Sequence, residues 1–141
     1  MTSPVCGLDC PEVEMKHILV VEDDLPTLTL IQKVLETAGH RVTGVHEGMA
    51  ALRSAQADTP DLVVLDLLIS GIDGYGVCSL LKRRSDFHSP VIILSGRTSE
   101  KDVRAAYDAG ADAFLHKPVK NTELLAKVTE LLAHRPSSIK P

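Results

Sequence analysis

The chain has 141 residues, enough for one domain that buries roughly two-thirds of its unfolded surface. Hydrophobic residues make up 44% and charged residues 24%, the balance of a soluble globular protein. Fifteen Lys and Arg against nineteen Asp and Glu leave a net charge of −4, so no direct nucleic-acid interface is expected, and no apolar run reaches the roughly 18 residues of a membrane span.

Residues 1–15 carry two prolines and no clear period, and read as a tail. They hold Cys6 and Cys10, most simply two thiols; with Cys78 the count is three, which argues against a disulfide scaffold. No basic segment followed by an apolar one opens the chain, so no secretory leader is expected and the cytoplasm is the expected compartment. A regular alternation follows. The apolar run from His17 to Val21 ends in Glu22, Asp23 and Asp24. Residues 26–38 show helical spacing at Leu28, Ile31, Val34, Leu35 and Ala38, and Gly39 stops the helix. A weaker strand covers 41–45. A helix over 47–57 turns Met49, Leu52 and Ala55 inward. The second apolar run, 62–65, ends at Asp66. A helix over 74–84 turns Val77, Leu80 and Leu81 inward, with Cys78 a small packing residue. The run 91–94 ends at Ser95. Ser99 opens and Gly110 closes a helix over 99–109. The last strand, 113–116, ends at Lys117 and Pro118. The last helix, 121–133, carries Leu124, Leu125, Val128, Leu131 and Leu132 on one stripe, and residues 135–141 form a second tail.

Five strands alternating with five helices predict an α/β protein with a parallel sheet covered on both faces. The doubly wound, flavodoxin-like order 2-1-3-4-5 fits, with ligands expected beyond the carboxyl ends of the strands, where the order reverses between the first and third. The strand ends carry Glu22 and Asp23, then Asp66, Ser95 and Lys117. Each has an ordinary structural use alone: Asp24 can cap the first helix, Glu22 and Asp23 can favour its positive end, and Ser95 can serve a turn. Their joint placement at four strand ends predicts a shared pocket. Three carboxylates packed together need a positive partner. Mg²⁺ (or Mn²⁺) suits an all-oxygen set, whereas the six histidines form no zinc motif. With a cation present, Asp66 could act as an aspartyl nucleophile toward phosphorus, while Lys117 and the Ser95 hydroxyl meet the phosphoryl oxygens.

These residues resemble the receiver domain of two-component response regulators, of the chemotaxis-like stand-alone kind. The matching stretches are 18–24 (ILVVEDD), 62–67 (LVVLDL), Asp73 with Gly74, 93–96 (ILSG), 109–112 (AGAD) and 116–118 (HKP). The resemblance covers about residues 16–134. It implies that Asp66 is the phosphoacceptor, that Asp23 and Glu22 with Asp66 and the carbonyl of Leu68 hold the metal, and that Ser95 and Phe114 are the switch pair. It implies a cis bond before Pro118. Leu68 and Arg97 stand where the family tunes phosphoryl lifetime, and neither can position an attacking water. A lifetime longer than that of fast chemotaxis receivers is therefore expected, and a half-life of seconds would contradict it. Ser70 and Gly71 occupy the place where the family often has a proline. The implied partners are a sensor histidine kinase or histidine phosphotransfer protein, and a downstream protein or a phosphorylation-dependent second copy on the face of the 99–109 helix, last strand and last helix. No output domain is expected after residue 134.

Other chemistries fit less well. A dehalogenase-like phosphatase places its two aspartates after the first strand and adds a cap domain. A flavodoxin-type cofactor binder needs a Ser/Thr/Gly-rich loop where this chain has three acids. No Walker motif is present. A receiver that signals unphosphorylated would not need the full acidic set.

Overall fold

A computed structural model describes residues 15–67, 73–96 and 99–133. Cys6, Cys10, Leu68, Ser70, Gly71, Arg97 and the C-terminal tail lie outside these residues. The elements run β1 (His17–Val21), α1 (Leu25–Thr37), β2 (Arg41–Val45), α2 (Gly48–Ala57), β3 (Leu62–Asp66), α3 (Gly74–Arg83), β4 (Val91–Ser95), α4 (Glu100–Asp108), β5 (Ala113–His116) and α5 (Asn121–Ala133). All strand pairs are parallel and the sheet order is β2-β1-β3-β4-β5. The fold and the position of its reversal are those read from the sequence. Among the described residues no helix is long and apolar enough to cross a membrane.

The alternation of strand side chains divides the core in two. Leu19, Val21, Val63, Leu65, Val91 and Ile93 face α2, α3 and the Ala106 side of α4. Ile18, Val20, Leu62, Val64, Ile92, Leu94, Ala113 and Leu115 face α1 and α5. The three central strands are buried along their whole length, as a doubly covered parallel sheet requires, while the β2 edge is only partly covered.

Helix boundaries follow local chemistry. Asp24 caps α1 by accepting from Thr27 N at 3.1 Å, and Asp73 caps α3 by accepting from Gly76 N at 2.8 Å. Gly39 and Gly110, at φ 101° and 108°, end α1 and α4 in the left-handed region. Two inward assignments are corrected. Met49 and Leu80 are exposed; α2 buries Gly48, Ala51 and Ala55, and α3 buries Gly74, Val77, Cys78 and Leu81. Small residues line the contact stripe of α2, and α3 fills its stripe with Val77, Cys78 and Leu81, so Met49 and Leu80 fall off the two stripes.

Candidate functional site

The site grows from the carboxyl ends of β1, β3, β4 and β5. Glu22 follows β1, and its backbone N–H donates to Val45 O at 3.0 Å, which holds it at the sheet edge. Its side chain is 2% exposed. One carboxylate oxygen, Oε2, accepts from Asp24 N at 3.2 Å, and the other, Oε1, accepts from Lys117 Nζ at 3.1 Å. Asp66 is the last residue of β3 and is also buried. Its Oδ1 lies 3.2 Å from Lys117 Nζ. One ammonium thus bridges two buried carboxylates from strands adjacent in space and far apart in sequence.

Lys117 is positioned by the last two strands. Its backbone N–H donates to Ser95 O at 2.8 Å, locking the end of β5 to the end of β4, and the Lys117–Pro118 bond is cis, as the resemblance implied. Ser95 is buried at the end of β4, and Phe114, on β5, is only partly buried against the α2–α3–α4 side of the core. Beside Lys117 a cleft of about 360 Å³ opens between α1 and the β5–α5 connection, lined by Thr27, Leu30, Ile31, Leu94 and Pro118.

Gly74 brings α3 up against this site. Its N–H donates to Leu67 O at 3.0 Å, and a Cβ built there would stand 2.7 Å from Asp66 O and from Leu67 Cα. Only a residue without a side chain permits that approach. The Asp73–Gly74 pair was legible as a motif, but its contact with the Asp66 backbone was not.

The electrostatics are unbalanced. Burial pushes the Glu22 carboxyl above its ordinary 4.5; the Lys117 hydrogen bond opposes this and the neighbouring Asp66 charge adds to it. Burial alone would lower Lys117, but its hydrogen bond to Glu22 and the charges of Asp66 and Glu22 raise it above 10.5, so it is a firm ammonium. Two buried carboxylates share one positive charge. An oxygen-only donor set with surplus negative charge suits a small hard cation.

The expectation of three converged carboxylates is narrowed. Asp23 is exposed at the rim, and among the described residues no three His, Cys, Asp or Glu side chains are grouped to hold an ion by themselves. A Mg²⁺ ion commonly takes only one or two carboxylates, completing its shell with water and other oxygens. The Leu68 carbonyl lies outside the described residues.

The sequence matches the response regulator receiver domain over residues 18–129. The chain belongs to the response regulator receiver family. Among relatives of this receiver, the transcriptional regulatory protein CseB of Streptomyces coelicolor is 36% identical over 119 residues, which cover 84% of this chain and 50% of CseB. The chain spans about half the length of the curated relatives it matches. A putative response regulator from Chloroflexus aurantiacus superposes with a TM-score of 0.82 at 30% identity, covering 86% of this receiver and all of that chain. The receiver domain of the sensor histidine kinase PA1611 from Pseudomonas aeruginosa, whose structure has a magnesium ion coordinated in the active site cleft, aligns with a TM-score of 0.79 at 29% identity. That match covers 85% of this receiver and 99% of the PA1611 chain.

Proposed function

We propose that this receiver, residues 16–134, accepts a phosphoryl group on Asp66 from a phosphohistidine of a sensor kinase or phosphotransfer protein. The observation that carries the reading is the Lys117 ammonium held 3.1 Å from Glu22 Oε1 and 3.2 Å from Asp66 Oδ1. An Asp66 oxygen attacks phosphorus, the bond to the donor breaks, and an acyl phosphate forms. Lys117 is poised to turn from Asp66 to a phosphoryl oxygen, where its charge counts most in the transition state. Ser95, whose strand end is tied to Lys117 by a backbone hydrogen bond, supplies a hydroxyl to another oxygen. Glu22 and Asp66, with Asp23 and the Leu68 carbonyl, would hold Mg²⁺ or Mn²⁺, which when bound offsets charge on the transferring group. The two buried carboxylates against one ammonium support that assignment, as does the magnesium in the PA1611 receiver.

Phosphorylation then acts as a two-state switch. Ser95 moves toward the phosphoryl group and Phe114, partly exposed now, turns inward. The surface of α4, β5 and α5 changes for a partner protein or a second copy. The matched relatives CseB and TcrA are transcriptional regulatory proteins, and this chain covers about half the length of each.

The test is intact mass of the protein and of Asp66→Ala after acetyl phosphate, with and without Mg²⁺. One phosphoryl group, gained only with Mg²⁺ and absent from the variant, is the expected result. A phosphoryl adduct that survives in Asp66→Ala would reject the assignment.

A further inference from the structure

The nine residues of α4 bury only Ala106, whereas α1 and α2 bury three each and α3 buries four. Apolar burial therefore holds α4 to the sheet less firmly than it holds the others. Its first turn is capped from within: Ser99 Oγ accepts from Asp102 N at 3.1 Å and donates to Asp102 Oδ2 at 2.7 Å. A tie from outside the helix reaches the same turn. The Tyr75 hydroxyl, on α3, donates to Asp102 O at 3.1 Å. The Tyr75 ring packs against the core cluster that also takes Phe114 and Ala106. Tyr75 directly follows Gly74, the residue seated against the backbone of Asp66 and Leu67.

We propose that Tyr75 is a positioning residue that latches α4 in the present arrangement, in which Phe114 is only partly buried, and so sets how readily the receiver switches. The inference rests on the phosphoacceptor reading above and adds a regulator to it. Gly74 and Tyr75 form a two-residue bridge: one abuts the acceptor strand, the other grips the helix on the partner face. A shift of α4 that accompanies Ser95 and an inward Phe114 breaks or re-forms the Tyr75 bond, because ring, phenylalanine and Ala106 of the helix all pack on one core cluster. The bond favours the arrangement that makes it, and its loss removes that bias.

Tyr75→Phe keeps the ring and deletes only the donor. Two measurements test it. Amide hydrogen exchange, without any phosphodonor, is expected to quicken in residues 100–108 and to stay unchanged in α1 and α5. Titration with beryllofluoride in saturating Mg²⁺ is expected to give about two- to ten-fold tighter binding than in the unaltered protein, the range of one net hydrogen bond. The affinity for Mg²⁺ alone should be equal in both. Unchanged exchange in α4, or faster exchange with equal beryllofluoride affinity, overturns the latch. An unaltered protein that neither binds beryllofluoride nor accepts phosphoryl would overturn the phosphoacceptor reading, and the latch as a brake on switching with it. Unchanged α4 exchange in a protein that does accept phosphoryl overturns the latch alone.

Discussion

The two ends of the sheet use charge in opposite ways. At the amino end several charged side chains serve the backbone. His17 N donates to Asp61 Oδ2 at 2.8 Å, and Asp61 N returns a bond to His17 O at 2.7 Å. Asp112 Oδ2 accepts from both Val91 N and Lys82 Nζ, at 2.8 and 2.7 Å, while Lys82 also reaches Ser89 O. Buried Ser89 ties to Pro60 O at 2.5 Å. At the carboxyl end, two buried carboxylates share one lysine. One end ties most of its polar groups to backbone and holds the loops, His17 Nδ1 being left without a hydrogen bond; the other gathers more negative than positive charge. The proposed acceptor site sits where negative charge is in excess.

Four substitutions sharpen this contrast. The largest effect belongs to Lys117→Met, which removes the bridging ammonium: phosphoryl incorporation from acetyl phosphate should slow about hundred-fold, the usual cost of losing one preorganised charge-stabilising donor. Equal rates would mean the ammonium does not meet the phosphoryl group. Gly74→Ala breaks the division itself, since its methyl meets backbone that cannot swing aside. Urea unfolding should show a loss of about 2 kcal/mol, and phosphoryl acceptance should fall as well. Asp112→Ala acts at the amino end only. It orphans Val91 N and one Lys82 contact, so stability should drop by about 1–3 kcal/mol while the phosphorylation rate holds.

The smallest effect is a pH slope. His17 is buried, its Nε2 pairs with Thr43 Oγ1 at 2.8 Å, and its Nδ1 lies 3.8 Å from Asp58. Burial chiefly, with Arg41, holds its pKa below 6.5, against the pull of Asp58 and Asp61; His40 is lowered too, mainly by burial. A histidine kept neutral in the fold contributes stability that is fully present above 6.5 and is lost as pH falls from there through the folded value. Urea midpoints at pH 7.5 and 5.5 should therefore differ less in His17→Gln than in the unaltered protein. An identical difference in both would place the acid sensitivity elsewhere.

The fold was legible because strands, three of them continuous apolar runs, alternate five times with helical stripes, and topology alone carries Glu22, Asp66, Ser95 and Lys117 to one sheet edge. Side-chain depth was less legible. Met49 and Leu80 looked inward on hydrophobicity, yet Ala51 and Cys78 hold those places, because contact stripe and helix approach decide burial rather than apolar size. Asp23 could be assigned to the strand end, but not its exposure. The Tyr75 bond to Asp102 O spans 27 residues and joins a side chain to a helix carbonyl, a pairing that no local pattern encodes. The His17 and Asp61 exchange is likewise a product of β1 and β3 becoming neighbours.

The sparse seating of α4 has an evolutionary side. Of nine positions only Ala106 is committed to the interior, and the capping serine precedes the helix. Most of its outward residues, such as Lys101, Arg104 and Tyr107, can be rewritten at little cost to folding. A lineage could therefore rewrite the proposed partner face by drift across one helix, leaving the proposed acceptor site at the end of β3 untouched.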